Sequence, residues 1–205
     1  MAENNFIFFK YETCLRIKLH NSNTSEQCNA YFRNLCEKLN NAERTKIKKL
    51  RISQGDYKFN GCKLSEIPPL FANQFKHLIA LNLFNKNLTL IPLSIGIYMI
   101  NLKYLDLNSN KLESLPESIG NLLNLRTLCL CNNKLKSLPE SIGNLLNLRT
   151  LYLSYNELKS LPKSIIRLTN LESLDLTVNP CFDLRIIKNV CLVRNQLRNI
   201  LRDNI

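Results

Sequence analysis

Cys129 and Cys131 stand two residues apart, and on an extended strand that spacing turns both thiols to the same side. A thiol pair so placed could hold a soft metal or be oxidised. A zinc site, however, wants three or four Cys, His or carboxylate ligands in a tetrahedral set, and no His or third Cys flanks this pair. No metal or cofactor is expected. The two histidines, His20 and His77, lie near no cysteine and near no acid in a recognised motif. The chain contains no phosphate-binding glycine loop, no GxGxxG turn, no HExxH helix and no paired CxxC. No catalytic residues are assigned, and a non-enzymatic role is expected.

The elements that carry these residues are written in a repeat. Ser114 to Leu128 reads SLPESIGNLLNLRTL, and Ser137 to Leu151 repeats those fifteen residues unchanged, 23 positions later. Self-similarity at such a period marks a stack of units too small to bury their own apolar faces alone. Extending outward gives the pattern L-x-x-L-x-L-x-x-N-x-L-x-x-L-P-x-x-I. Leu102, Leu105, Leu107, Asn110 and Leu112 begin one copy, Leu125 to Leu135 the next, and Leu148 to Leu158 a third. A fourth, from Leu171, breaks off at Pro180. Earlier, Leu78, Leu81, Leu83 and Leu88 keep the apolar positions, but Lys86 stands where the asparagine belongs. Ile47, Leu50 and Ile52 look like a strand, and Cys62, Leu64, Ile67 and Pro68 like the end of the same unit, with about seven extra residues near Gly55 to Asn60.

Pro68, Pro92, Pro116, Pro139 and Pro162 fall in register with the leucines, which excludes long helices, since proline removes a donor and clashes with the preceding turn. The pattern resembles the leucine-rich repeat family, in the 23-residue intracellular form found in Ras-suppressor-like and Ras-group scaffolds. That resemblance implies an α/β solenoid: a short horseshoe with a parallel concave sheet and capped ends. The expected organisation is an N-terminal capping region over 1–46, repeats over 47–180 and a helical C-terminal cap over 181–205. In L-x-L the leucines point to the core and the residue between them to solvent. The buried asparagines, able to donate and accept at once, should stack as a hydrogen-bonded ladder. Lys86 lacks an acceptor, so its unit should be strained or finished differently.

Function must then lie on the concave face. Between the paired leucines stand Asn82, Asp106, Cys129, Tyr152 and Asp175. Just before them come Ala80, Tyr104, Thr127, Thr150 and Ser173, and just after them Phe84, Asn108, Cys131, Ser154 and Thr177. Variation at these slots between fixed leucines fits a recognition surface. Exposed aromatics offer large contact area at little rotamer cost. The candidate partner-binding residues are Phe84, Tyr104, Asp106, Asn108, Cys129, Cys131, Tyr152, Tyr155 and Asp175. Five or six strands about 4.8 Å apart make a face about 25 Å across, suited to a peptide, a loop or one helix.

The chain has 205 residues and a net charge of +12, which raises a second reading: an electrostatic binder of nucleic acid or acidic lipid. Its basic residues gather at the two ends, in Arg44, Lys46, Lys48, Lys49 and Arg51 and in Arg185, Lys188, Arg194, Arg198 and Arg202. Within the repeats acids alternate with bases. Nucleic-acid binding wants a continuous basic stripe with stacking residues, so protein binding is the better reading. The acid near the start of MAENNFIFFKYE and the interrupting Lys10 do not suit a signal peptide, and no apolar run is long enough to span a membrane. The eight cysteines are scattered, and those on predicted apolar faces are explained as buried thiols. An intracellular, cytoplasmic monomer is expected.

The flanks read as caps. Thr24 to Gln27 forms a capping box, and Cys28, Tyr31, Phe32, Leu35, Cys36 and Leu39 recur at helical spacing, predicting a helix near 25–40. Before it, Phe6 to Phe9 and Leu15, Ile17 and Leu19 alternate as strands do. After Pro180, Leu184, Ile187, Val190 and later apolar residues suggest a closing helix.

Overall fold

The computed structural model describes residues 72, 73 and 75–180, together with the backbone of two earlier strands. The predicted helices near 25–40 and after 181, the strand at Phe6 to Phe9 and the inserted loop near Gly55 lie outside the described residues.

Among the described residues seven strands form one parallel sheet in chain order: β1 (Cys14–Leu19), β2 (Lys49–Gln54), β3 (Ala80–Asn82), β4 (Tyr104–Asp106), β5 (Thr127–Cys129), β6 (Thr150–Tyr152) and β7 (Ser173–Asp175). The register aligns Leu15, Leu50, Leu81, Leu105, Leu128, Leu151 and Leu174 across the sheet. Parallel neighbours need a crossover after every strand, and from β3 to β7 each crossover is one coil of the repeat. The alternation at Leu15, Ile17 and Leu19 is thus the sheet's first strand, within the segment read as an N-terminal cap.

On the other side of each coil lie a short α-helix, α1 (Ser94–Tyr98), and three 3-10 turns at Glu117–Asn121, Glu140–Asn144 and Lys163–Arg167. Each 3-10 turn starts after a proline held extended, with φ between −71° and −63° at Pro116, Pro139 and Pro162. Proline's fixed φ and absent N–H suit this position, where the first amides have no partner inside the turn. Sheet and turns enclose the leucines, and Leu102, Leu105, Leu107, Leu112, Ile119 and Leu122 of one coil are all buried.

Three sets of polar contacts join coil to coil. The first is the expected asparagine ladder, in which each side chain bonds the backbone of its own coil and of the preceding one. Asn133 Nδ2 donates to Leu107 O of the preceding coil at 3.0 Å and to Leu130 O of its own at 3.1 Å. Its Oδ1 accepts the Leu112 amide at 3.1 Å, and Asn156 and Asn179 repeat the arrangement. At Lys86 the coil is finished otherwise, as expected. Asn110 Oδ1 accepts both the Lys86 and the Leu88 amides, at 2.9 and 3.0 Å, and Asn85 and Asn87 turn the chain with left-handed φ of 54° and 57°.

The second set is a ladder that the sequence reading did not recognise. Asn101, Asn124, Asn147 and Asn170, at the corner before each strand, donate to Lys76 O, Ile100 O, Leu123 O and Leu146 O at 2.8 to 3.1 Å. In the third, Glu117 accepts the Ser141 amide and Glu140 the Ser164 amide, both at 3.1 Å. Each glutamate of the LPES motif thereby serves the amide end of the next coil's turn.

Candidate functional site on the concave sheet

The register brings Asn82, Asp106, Cys129, Tyr152 and Asp175 into one row across β3 to β7. Because each occupies the outward slot of its own coil, consecutive members are cross-strand neighbours. Their chemistry divides the row into a hydrogen-bonded half and an open half.

The first half is built around Asp106. Its Oδ2 accepts from Asn82 Nδ2 at 3.0 Å and from the Tyr104 hydroxyl at 3.3 Å, and its Oδ1 accepts the Asn108 amide at 3.0 Å. Asn108 in turn accepts the Cys131 amide at 2.6 Å, and Ser154 Oγ lies 3.1 Å from Cys131 Sγ. These donors cover the carboxylate. Asp106 is 7% exposed and Cys129 4% exposed, so two slots read from sequence as open surface are buried. The reason is local: Asn82 on the adjacent strand and Tyr104 two residues away both bond the Asp106 carboxylate, and Tyr104 also reaches Cys129. Tyr104 is likewise half-buried and holds Asp106, which separates it from the exposed aromatics with which it was grouped.

Burial also sets the thiol chemistry. Desolvation of its anion, reinforced by the charge of Asp106, pushes the Cys129 thiol up to about 12. Burial raises Cys131 as well, against an opposing hydrogen bond from Ser154. Tyr104 is held far above the ordinary phenol range, first by desolvation and then by Asp106. Since thiolate is the nucleophile and the metal ligand, neutral thiols at this position are poor at either task. Both cysteines are free thiols, and among the described residues no group of three or more His, Cys, Asp or Glu side chains is placed to hold a metal.

The second half of the row is open. Tyr152 is 38% exposed and Tyr155, one coil-turn position beyond β6, is 60% exposed. Just after β3, Phe84 is 46% exposed. Asp175 is bound within its own coil, accepting from the Thr177 amide and hydroxyl at 3.0 and 2.8 Å. Thus Phe84, after β3, stands apart from Tyr152 and Tyr155 on and after β6, with the Asp106 network between them.

Tyr155 has a further property. With Asn85, Ser109, Asn132 and Val178 it forms the column that turns left-handed in each described coil, at φ between 54° and 57°. Asparagine tolerates this region, whereas larger and β-branched side chains are strained there. The signal was legible as a column reading Asn, Ser, Asn, Tyr, Val, but only backbone angles show its meaning. The terminal basic clusters, apart from the backbone of β2, lie outside the described residues. No helix among the described residues is long and apolar enough to cross a membrane.

Comparison with curated proteins found no match. Among solved structures, the chain is similar to a leucine-rich repeat protein of Leptospira interrogans, with 34% identity and a TM-score of 0.57 over 80% of this chain and 42% of that one. It is similar to the leucine-rich repeat domain of the type III effector XopL, with 31% identity and a TM-score of 0.52 over 58% of this chain and 43% of that one. A plant peptide hormone receptor, RGFR1, solved in complex with RGF2, matches with 29% identity and a TM-score of 0.57 over 80% of this chain. The chain spans 24% of that receptor's length and less than half of the other two. The family of leucine-rich repeat regions matches residues 57–200. With its in-register leucines, asparagine ladder and parallel sheet, the chain belongs to the leucine-rich repeat family.

Proposed function

We propose that the protein is a non-enzymatic interaction module whose concave sheet binds a peptide, loop or helix of a protein partner. The observation that carries this reading is the pair Tyr152 and Tyr155, two exposed tyrosines on one coil, beside a hydrogen-bonded network that fixes the neighbouring surface. Aromatic side chains on a rigid support lose little entropy on binding and supply much of the energy of interfaces. The similar plant receptor, solved with RGF2, is consistent with a leucine-rich sheet serving as a docking face. The reduced thiols of Cys129 and Cys131 fit an intracellular, cytoplasmic setting.

The test is affinity purification with the intact chain, the Tyr152→Ala/Tyr155→Ala double variant and a Tyr98→Ala variant as a control off the sheet. Loss of a partner in the double variant alone, with unchanged circular dichroism, supports the concave site. Retention of every partner by the double variant refutes it.

A further inference from the structure

Two exposed columns run side by side along the corner where each coil enters the concave sheet. One is apolar: Ile100, Leu123 and Leu146 are 49%, 55% and 50% exposed. The other is basic: Lys103, Arg126 and Arg149 stand just before β4, β5 and β6 and are all exposed. Their backbones are tied coil to coil, with the Arg126 amide on Lys103 O and the Arg149 amide on Arg126 O, both at 2.9 Å. The columns are separated by the second asparagine ladder, whose bonds hold both rows at fixed spacing. At one end of the flank His77, Ile79, Asn101, Lys103 and Asn124 line a shallow open depression.

Neither column is explained by the fold. Apolar side chains in three successive coils remain about half in water, where covering them would be favourable. Like charges stacked at about 4.8 Å repel one another. Among the described residues this repulsion is offset at one end, where Arg149 Nη1 meets Glu172 Oε1 at 2.8 Å. Among the described residues Lys103 and Arg126 make no ion pair. A partner that satisfies both columns must carry acids along one side and apolar groups along the adjacent side. An α-helix does so with a pitch of about 5.4 Å, close to the coil spacing. Acids at i, i+3 or i+4 and i+7 can therefore follow three coils, with leucine-like residues beside them.

We propose that this flank docks an acidic amphipathic helix of a protein partner, lying along the solenoid axis with its acids on Lys103, Arg126 and Arg149 and its apolar side on Ile100, Leu123 and Leu146. The inference shares with the concave-site reading only the premise of a protein partner, because none of its residues is among the candidate concave contacts.

The probe is a fluorescent synthetic helical peptide with glutamates along one side and leucines along the next, titrated against the full chain. Lys103→Ser/Arg126→Ser is expected to weaken binding about tenfold or more, and Leu123→Asn/Leu146→Asn to weaken it comparably. The control Lys134→Ser/Lys159→Ser removes the same charge from exposed positions elsewhere on the coils and should leave affinity within about twofold. Equal loss from both charge pairs would mean attraction to net charge alone and overturns the proposal. So does an unaffected Leu123→Asn/Leu146→Asn variant. Phosphatidylcholine–phosphatidylserine vesicles are titrated in parallel, and tighter binding to them with the same dependence on Lys103 and Arg126 would make the flank a membrane surface and refute a helix site. The Tyr152→Ala/Tyr155→Ala variant should bind the peptide normally, which separates failure here from failure of the concave site.

Discussion

Ser141 occupies the space that a side chain on Gly120 would need: a Cβ added at Gly120 overlaps the Ser141 carbonyl, which is rigid backbone of the next coil. The same contact recurs between Gly96 and Ser118 and between Gly143 and Ser164. Glycine at these positions serves close approach of coils rather than conformational freedom, since no glycine among the described residues has a positive φ. In the last described coil the equivalent position is Ile166, 53% exposed.

Gly120→Ala should accordingly destabilise the protein by about 1 to 3 kcal/mol, the usual cost of overpacking. Ile166→Ala, at the equivalent but open position, should change stability by less than about 0.5 kcal/mol. Urea denaturation of the two variants checks both. Equal effects would show that the coils can separate freely.

Asn133→Ala removes two donors and an acceptor from buried backbone, leaving Leu107 O and the Leu112 amide without that side chain. A loss of about 2 to 4 kcal/mol is expected, from an unsatisfied-group cost of about 1 to 3 kcal/mol for each orphan with partial relaxation. Asn147→Ala, in the exposed second ladder, should cost under about 1 kcal/mol. Thermal melts of the two would rank the ladders.

Tyr155→Asn should stabilise the fold by about 1 kcal/mol, because asparagine tolerates the left-handed backbone that tyrosine resists. The same change should weaken partner binding. A raised melting temperature with reduced capture of the partner would identify Tyr155 as a residue that trades stability for contact. An unchanged or lower melting temperature would show that its strain is compensated.

Tyr104 and Tyr152 should separate by assay. Tyr104→Phe deletes the hydroxyl on Asp106 and should cost about 0.5 to 1.5 kcal/mol of stability, whereas Tyr152→Ala should cost little stability and lower affinity. Denaturation midpoints and a binding titration on the two variants distinguish support from contact.

Cys129 and Cys131 should react slowly with iodoacetamide at pH 8 in the folded protein and quickly in urea, since burial raises both thiols. The linkage has a definite sign. Cys129 moves from 9.0 to about 12 on folding, so its contribution is complete below pH 9 and declines as pH rises toward 12, where the unfolded chain releases a proton the folded chain retains. Cys129→Ala should flatten the loss of stability over that alkaline window, measured by urea midpoints at successive pH values.

Much of the scaffold was legible because its determinants are local and repeated. Leu102, Leu105 and Leu107 recur at a spacing that only a short strand and a returning coil can satisfy, and Pro116 marks where the turn begins. The ladder asparagines were legible for the same reason, although which atoms they bond was not. Glu117 and Gly120 sat inside the duplicated segment and went unassigned, because their partners lie one coil away on the backbone and leave no mark on the neighbouring sequence. For the candidate site, the sequence named the columns and could not rank them.

The sequence by itself determined the repeat, the core and the residues that share the concave face, since periods of 2 and 23 residues convert directly into facing and stacking. Only the tertiary structure decided that Asp106 and Cys129 are buried while Tyr152 and Tyr155 remain open. It also decided that Lys103, Arg126 and Arg149 form a flank beside Ile100, Leu123 and Leu146. Exposure depends on the reach of side chains on adjacent coils, which are some 23 residues distant in the chain and about 4.8 Å apart in space.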